Sequence, residues 1–278
     1  MRVWLVGESR HKWRSCRCHC TASGATRTQA QRYSIRQHGP CRRGFDSVVS
    51  EMTFAAPFSG FSPAAIQFLR DLAEHNDRDW FRAHKDVYEA ELQIPLGRLV
   101  VQTSERLQKL KIPLRGDPKR SVFRIYRDTR FSPDKTPYKT HVSAVFDRNL
   151  TKGGDGILYV HIDPAGSFVA LGFYRPLPPR LTRLREAIVD RRARFFKVLD
   201  DLRQHGLELS ADEEALKRVP RGFEEFTDSE VAPYLKHRSF VVHRPLTEDS
   251  VKQASLPDVL LDFTMAGLPF LKFGWEAL

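Results

Sequence analysis

Apolar residues recur at helical spacing in the first third of the main body of the chain. Ser62 and Pro63 form an N-cap followed by proline at the first helical position, and this spacing predicts a helix that ends near Asn76. Its apolar face consists of Ala65, Ile66, Leu69, Leu72 and Ala73. Asp77 is predicted to cap a second helix, and Pro95 is predicted to open a third.

After Pro118 the pattern changes to short β-rich runs separated by turn residues. These runs are Val122 to Tyr126, His141 to Asp147, Ile157 to Asp163, Ser167 to Tyr174, and Ser239 to His243. The closely spaced third and fourth runs predict an antiparallel hairpin. Helical spacing returns from about Pro179 to His205 and from Leu256 to Leu271. We therefore predict an α+β fold: an antiparallel sheet of about four or five strands, with an N-terminal helical region and C-terminal helices packed on it.

The first 51 residues differ from the rest in pattern and in charge. They show no helical or strand period and contain ten Lys and Arg residues against three acidic residues. Three interpretations compete: a disordered basic tail, an Arg-rich targeting peptide, or an upstream stretch translated from an incorrectly assigned start. We favour the last, with Met52 as the true start. Residues 52–278 are then predicted to form a single α+β domain, and residues 1–51 to lie outside it.

The net charge of +11 is concentrated in that first segment. Residues 52–278 hold 35 Lys and Arg residues against 31 acidic residues, so the main body is only mildly basic. No apolar run approaches the roughly eighteen residues that a membrane span requires, and we expect no membrane association.

All four cysteines also fall within the first 51 residues. Cys16, Cys18 and Cys20 are followed only by Cys41, so the C-x-x-C pairs usual in zinc sites are missing. A main domain without cysteine needs no disulfide, which agrees with a reducing compartment. We therefore expect a cytoplasmic protein.

One charged segment begins within the first predicted strand and continues as a loop. It runs from Phe123 to Thr140 and reads F-R-I-Y-R-D-T-R-F-S-P-D-K-T-P-Y-K-T. Between Lys119 and Lys139 there are seven Lys and Arg residues but only two acidic residues. Arginine binds phosphate or carboxylate through two parallel hydrogen bonds, and lysine adds a mobile point charge. This surplus favours an anionic ligand.

The same segment carries a family resemblance. Further matching positions are Asp79, Trp80, Phe81, Lys85, Tyr88 and Glu89 before it, and Tyr159, His161, Ile162 and Pro164 after it. With these, the chain resembles the bacterial and fungal family called domain of unknown function 2461, over roughly residues 58–275. The family has no assigned activity to transfer, so the resemblance implies an extent and a set of positions only.

Side-chain chemistry suggests a role for each polar group of this segment. The candidate anion-binding residues are Arg124, Arg127, Arg130, Lys135 and Lys139. The candidate catalytic residues are Asp128 and Asp134, as orienting groups or general base, and Tyr138, as a hydroxyl donor. In a purely structural alternative, Asp128 pairs with a neighbouring arginine and Asp134 forms a turn. We favour binding, because packing alone gives a long loop little reason to hold so many charges.

A second cluster of titratable residues is expected on the sheet. His161 and Asp163 share one face of a predicted strand, and with His141 they could form a metal site or an acid/base pair. A simpler interpretation is favoured, in which Asp163 forms a turn and His161 is a hydrogen-bonded core residue. We therefore assign neither a metal nor a cofactor from the sequence.

The functional hypothesis is a pocket for a phosphorylated or other anionic ligand, and whether it is catalytic stays open. The alternative is a non-enzymatic module that binds nucleic acid or a protein partner through the same charges. A third alternative is that the charges form a structural ion-pair network only. The sequence contains no P-loop, G-x-S-x-G, H-E-x-x-H or dinucleotide fingerprint, which argues against the common nucleotide hydrolases, serine hydrolases and zinc peptidases.

Overall fold

A computed structural model describes residues 54–130 and 132–278, so the predicted extra segment 1–51 lies outside the described residues. The N-terminal helices are α1 (Pro63–Glu74), α2 (Arg78–Ala83), α3 (Lys85–Tyr88) and α4 (Ile94–Lys109), with a π-helical stretch, Glu89–Gln93, before α4. The strands are β1 (Val142–Phe146), β2 (Ile157–Ile162), β3 (Ser167–Phe173) and β4 (Phe240–Leu246). The later helices are α5 (Pro178–Asp190), α6 (Arg192–Gln204), a 3₁₀ turn (Glu224–Phe226), α7 (Ala232–Leu235), α8 (Glu248–Val251) and α9 (Leu256–Trp275).

The first two helices begin where the sequence predicts. The Ser62 hydroxyl accepts a hydrogen bond from the backbone N–H of Ala65 at 3.0 Å, and Asp77 Oδ1 accepts from the N–H groups of Asp79 and Trp80 at 2.9 Å. Each cap satisfies N–H groups that have no partner within the helix. The predicted second helix is interrupted at His84, which separates α2 from α3.

The sheet is antiparallel throughout, with strand order β1-β2-β3-β4. The predicted β2–β3 hairpin is confirmed, as is the α+β arrangement of helices on an antiparallel sheet. Gly172 in β3 has φ +139°, and a Cβ there would lie 2.1 Å from the Phe240 carbonyl oxygen of β4. Only glycine therefore allows these two strands to approach so closely.

The predicted strand Val122 to Tyr126 is wrong as a regular strand. Val122 and Tyr126 form only isolated bridges, to Ala144 and Tyr138 respectively. The segment first pairs with β1, where the Phe123 N–H donates to the Ser143 carbonyl, and then pairs with the residues around Tyr138. Because it changes partner halfway, it never forms a continuous ladder.

The two faces of the sheet are packed differently. On one face, residues such as Ala144, Val160 and Leu171 join the main hydrophobic core, against which α4 and α9 pack. On the other face, Val145, Tyr159 and Ala170 form a smaller cluster with neighbours that include Phe123 and Phe168. This alternation follows from the two-residue period of a strand. Within the described part of the chain, no helix is both long and apolar enough to cross a membrane.

Candidate functional site

The charged segment folds as a loop with two distinct parts. We call Tyr126, Arg127, Pro137 and Tyr138 the loop base, and the described residues between Arg127 and Pro137 the loop tip. The base is closed by hydrogen bonds from the Arg127 N–H to the Pro137 carbonyl at 2.9 Å and from the Lys139 N–H to the Ile125 carbonyl at 2.8 Å. The two parts use their charges in different ways.

Charges in the loop tip are paired within the loop, either with one another or with Arg127 of the base. The Arg130 guanidinium donates from Nε to Asp128 Oδ1 at 2.9 Å and from Nη2 to Oδ2 at 2.7 Å, a bidentate pair. Asp134 Oδ1 accepts from the N–H and hydroxyl of Thr136 at 2.9 and 2.8 Å, and its Oδ2 pairs with Arg127. The Lys135 ammonium donates to the Thr129 carbonyl at 2.9 Å. These contacts are the ones that a structural ion-pair network requires.

The same contacts make both tip carboxylates weak bases. The hydrogen bonds from Arg130 lower the pKa of Asp128 from 3.8 to about 2. The Thr136 N–H and then the Arg127 guanidinium lower the pKa of Asp134, also to about 2. A general base works best when its pKa lies near the working pH. The arrangement therefore does not favour either carboxylate as a general base at neutral pH.

The loop base is fastened to the N-terminal helices. Asn76 donates from Nδ2 to the Tyr138 carbonyl at 3.1 Å, and its Oδ1 accepts from the Tyr138 N–H at 3.0 Å. The Tyr138 ring is 5% exposed and stacks on Phe81 of α2, with ring centroids 4.2 Å apart. Tyr126 lies beside Tyr138, at 5.3 Å between centroids, but is 51% exposed. An aromatic stack thus connects the buried core to the surface.

A cavity of about 460 Å³ lies between the loop base and helices α2 and α3. Its charged lining consists of Arg78, Arg82, Lys85 and Arg127, and its aromatic lining of Phe81, Tyr126 and Tyr138. Thr129 and Pro137 complete it. Among the described residues that line the cavity, none is acidic. Four cations therefore converge on one concave surface.

Three of these four cations are weakly held by other groups, whereas Arg127 is fixed by Asp134 and Thr136. Arg82 pairs with Asp79 at 3.3 Å and Lys85 pairs with Glu89 at 3.1 Å, in both cases on the surface. Arg78 has no ion-pair partner in residues 54–130 and 132–278. Exposed ion pairs are worth roughly 0–1 kcal/mol, so Arg82 and Lys85 can turn toward a ligand at little cost.

Tyr138 can serve as a neutral hydrogen-bond donor in this setting. Burial raises the pKa of its hydroxyl, followed by the effect of Tyr126, while the positive charges of Arg78 and Arg82 act in the opposite direction. The deeper Tyr88 has a pKa raised to about 12, mainly by burial. Both hydroxyls therefore keep their protons at neutral pH.

Two of the eight predicted site residues line the cavity: Arg127 and Tyr138. The others do not line it; they are Arg124, Asp128, Arg130, Asp134, Lys135 and Lys139. Arg78 and Arg82 were missed, although Lys85 was noted among the family positions. A signal for them exists in the sequence, because positions 78, 82 and 85 follow helical spacing and share one face.

Lys139 lies on the other side of the loop, toward the smaller cluster of the sheet. Its ammonium sits 5.5 Å from the centroid of the Phe123 ring, and the Lys152 ammonium sits 4.8 Å from the same ring. Burial and then the neighbouring Arg124 lower the pKa of Lys139. Lys139 thus lies apart from the cavity cations.

The three titratable residues of the sheet come together at one end of β1 and β2. Ligand atoms of His141, His161 and Asp163 all lie within 4.8 Å of one another. His161 Nε2 is 3.5 Å from Asp163 Oδ2, and the rings of His141 and His161 are 4.1 Å apart between centroids. Val142 pairs with Ile162 in the β1–β2 register, which places His141 opposite Asp163. Antiparallel pairing therefore assembles the cluster.

Hydrogen bonds and burial shift the pKa values of His141 and Asp163. The Tyr159 hydroxyl lies 3.0 Å from His161 Nδ1. Burial, then His161 and Lys139, lowers the pKa of His141 to about 3, so this ring is neutral at physiological pH. Burial alone would raise the pKa of Asp163, but hydrogen bonds from His161 and from the Ala165 N–H bring it below its ordinary range.

Comparison with known proteins places the chain in a family. Residues 64–273 match the model of a family described as conserved hypothetical protein (DUF2461). No curated protein and no solved structure matches the chain. The matched range includes α2 and α3, the whole charged loop and the histidine cluster. The chain therefore belongs to the DUF2461 family, as the resemblance of its charged segment indicates.

Proposed function

We propose that the protein binds a phosphorylated small molecule in the cavity between the loop base and α2 and α3. One observation carries this proposal: Arg78, Arg82, Lys85 and Arg127 line the cavity, and no described lining residue is acidic. Arg82, Lys85 and Arg127 have carboxylate partners, but those carboxylates do not line the cavity. The four positive charges therefore still repel one another across the cavity, and a bound anion relieves that repulsion. The cavity volume of about 460 Å³ also lies within the range of small-molecule sites.

The chemistry of the lining favours phosphate over a simple carboxylate. Arginine forks offer paired donors to phosphate oxygens, and Lys85 and the Tyr138 hydroxyl add single donors. Hydrogen bonds to charged groups contribute about 1.5–3 kcal/mol each. The exposed Tyr126 ring flanks the cations and offers an apolar surface to the remainder of a ligand.

The proposal is one of binding, and no general base is assigned. Asp128 and Asp134 lie in the loop tip, outside the cavity lining, and their carboxylates are already occupied by Arg130, Thr136 and Arg127. A cytoplasmic location is part of the proposal, since residues 52–278 contain no cysteine and need no oxidising compartment.

Nucleic-acid binding is the second candidate function. It is favoured by Tyr126, a half-exposed ring beside three exposed cations, because bases stack on such rings while cations hold the phosphates. The concave shape of the cavity favours the small molecule instead. Salt dependence separates the two, because contacts along a strand release many counterions whereas one small ligand releases few.

Isothermal titration of the full chain with inorganic phosphate, pyrophosphate and a single-stranded oligonucleotide tests the proposal. At about 50 and about 200 mM salt, we expect saturable pyrophosphate binding whose affinity falls less steeply than that of a nucleic-acid complex. The double variant Arg78→Gln, Arg82→Gln should weaken pyrophosphate binding at least about tenfold, given the energies of two charge-assisted hydrogen bonds.

A matched control removes the same charge elsewhere. Arg192 and Arg203 of α6 are exposed and pair with Glu230 and Asp200, away from the cavity lining. The double variant Arg192→Gln, Arg203→Gln should leave the dissociation constant nearly unchanged. Equal weakening in the two double variants would mean that net charge alone attracts the anion, and absence of binding to the wild type would end the proposal for this probe.

A further inference from the structure

We propose that His141, His161 and Asp163 bind one divalent transition-metal ion at the end of β1 and β2. Two imidazoles and one carboxylate form a ligand set suited to zinc, iron, cobalt or nickel, whereas magnesium and calcium prefer oxygen ligands. The proposal is independent of the anion cavity, because none of the three residues lines that cavity.

The distances are close to those of a bound ion. Ligand atoms held about 2.0–2.2 Å from one metal are about 3.0–3.5 Å apart. The pair His161 Nε2 and Asp163 Oδ2 lies at 3.5 Å, and all three ligand atoms lie within 4.8 Å of one another. The widest pair therefore needs to approach by about 1.3–1.8 Å at most, a shift that side-chain rotation supplies.

Each ligand is oriented by its neighbours. The ring of His161 stacks on Phe168 at 4.7 Å, its Nε2 faces Asp163 and its Nδ1 lies 3.0 Å from the Tyr159 hydroxyl. Metal binding at Nε2 would move the ring proton from Nε2 to Nδ1, where it can donate to the Tyr159 hydroxyl oxygen. Asp163 uses Oδ1 to accept from the Ala165 N–H at 2.9 Å, which leaves Oδ2 for the cluster. Metal-bound histidines generally have such a second hydrogen bond to fix the tautomer.

His141 supplies the third ligand. It is partly buried and makes no hydrogen bond to another residue that the structure describes. No described protein group therefore competes with an ion for its ring nitrogens. A neutral imidazole with a free lone pair is also the form that binds metal.

The histidine cluster is open to solvent on the side of Asp163, and the nearby positive charge of Lys139 opposes the binding of a cation. The Asp163 side chain is 19% exposed, so an ion can reach the cluster from solvent and keep a water ligand. Lys139 acts electrostatically on His141 and opposes a cation there. Removing this lysine should therefore strengthen metal binding, which distinguishes this site from chance binding elsewhere.

Titration of the full chain with Zn²⁺, after conversion of its four cysteines to neutral carboxamidomethyl derivatives, tests the proposal. All four lie in residues 1–51, so the treatment removes thiolate ligands without changing any described residue. We expect one equivalent of Zn²⁺ to bind, with affinity at least about tenfold weaker in Asp163→Asn and in His141→Ala. Lys139→Met should bind Zn²⁺ more tightly than the wild type, and Mg²⁺ should not compete.

His205→Asn provides the control, since His205 is the C-cap residue that follows α6 and is not one of the three proposed ligands. This variant should bind Zn²⁺ like the wild type. Asp163→Asn keeps an oxygen for the Ala165 N–H, so it tests the ligand role even if His141→Ala unfolds. Absence of Zn²⁺ binding in the wild type, or equal affinities in the wild type, Asp163→Asn and Lys139→Met proteins, would overturn the proposal.

Discussion

The loop tip and the loop base are neighbours in sequence, but their charges have different fates. In the tip, Arg130 is held by Asp128 through two hydrogen bonds, and Asp134 is occupied by Thr136 and Arg127. At the base, cations from two separate parts of the chain meet around a cavity with no acidic group among its described lining residues. A count of charges in one segment therefore does not identify a binding site. The decisive feature is which charges face a shared cavity that no carboxylate lines.

The two regions also differ in how firmly they are attached to the core. Tyr138 at the base is 5% exposed, is stacked on Phe81 and is hydrogen-bonded through its backbone to Asn76. The tip is held mainly by ion pairs within the loop, and the side chains of these pairs are partly or largely exposed. The base should therefore depend on core packing, and the tip on electrostatics.

The largest expected effect comes from Phe81→Ala. Phe81 is 2% exposed and packs against Tyr138, Tyr88 and Phe68, so its removal leaves a cavity in the core. We expect the free energy of unfolding to fall by about 3–5 kcal/mol, measured by chemical denaturation. The control Tyr126→Ala truncates an exposed ring of the same stack and should cost much less. Equal losses would show that the base is not packed as described.

A smaller loss is expected for Asn76→Ala. The substitution leaves both the N–H and the carbonyl of Tyr138 without their side-chain partner, in a partly buried position. We expect the free energy of unfolding to fall by about 1–3 kcal/mol. Gln67→Ala removes an exposed amide that donates a hydrogen bond to the Asp71 side chain, and serves as the control. If the two variants are equally stable, Asn76 does not fasten the loop to the helices.

The smallest expected effect on stability comes from replacing the two carboxylates of the loop tip, and it depends on pH. The folded-state pKa values of Asp128 and Asp134 are about 2, below the ordinary value of 3.8. Depressed carboxylate pKa values stabilise the fold above the unfolded pKa, and this contribution is lost as pH falls through the folded pKa. The double variant Asp128→Asn, Asp134→Asn should thus have a lower free energy of unfolding than the wild type at neutral pH. This difference should shrink between about pH 4 and about pH 2. A difference independent of pH would contradict the tip contacts.

Much of the fold follows from local sequence signals. Ser62 and Asp77 cap the helices they were expected to cap, and the turn after β2 gives the predicted hairpin. Two features do not follow from local signals. The stretch Val122 to Tyr126 has strand-like residues but divides its pairing between two partners, and the second helix breaks at His84. Both depend on tertiary contacts that propensity does not encode.

In the candidate site, too, some residues can be predicted from the local sequence and others depend on tertiary contacts. Arg127 and Tyr138 could be selected from the charged segment, because the cavity borders that segment. Arg78 and Arg82 come from a helix about fifty residues earlier in sequence. Tertiary contacts bring that helix to the loop: the stacking of Phe81 on Tyr138 and the hydrogen bonds of Asn76 to the Tyr138 backbone. The spacing of 78, 82 and 85 predicts a shared cationic face, but it does not predict what this face meets.

The most direct test of the central claim compares one arginine from each region. Arg78→Gln removes an exposed cation of the cavity lining, and Arg130→Gln removes an exposed cation of the tip, so both variants lose the same charge. By titration calorimetry, we predict that the dissociation constant for pyrophosphate rises about tenfold or more in Arg78→Gln and changes by no more than about twofold in Arg130→Gln. The reverse order, or equal changes in the two variants, would contradict the assignment of anion binding to the loop base.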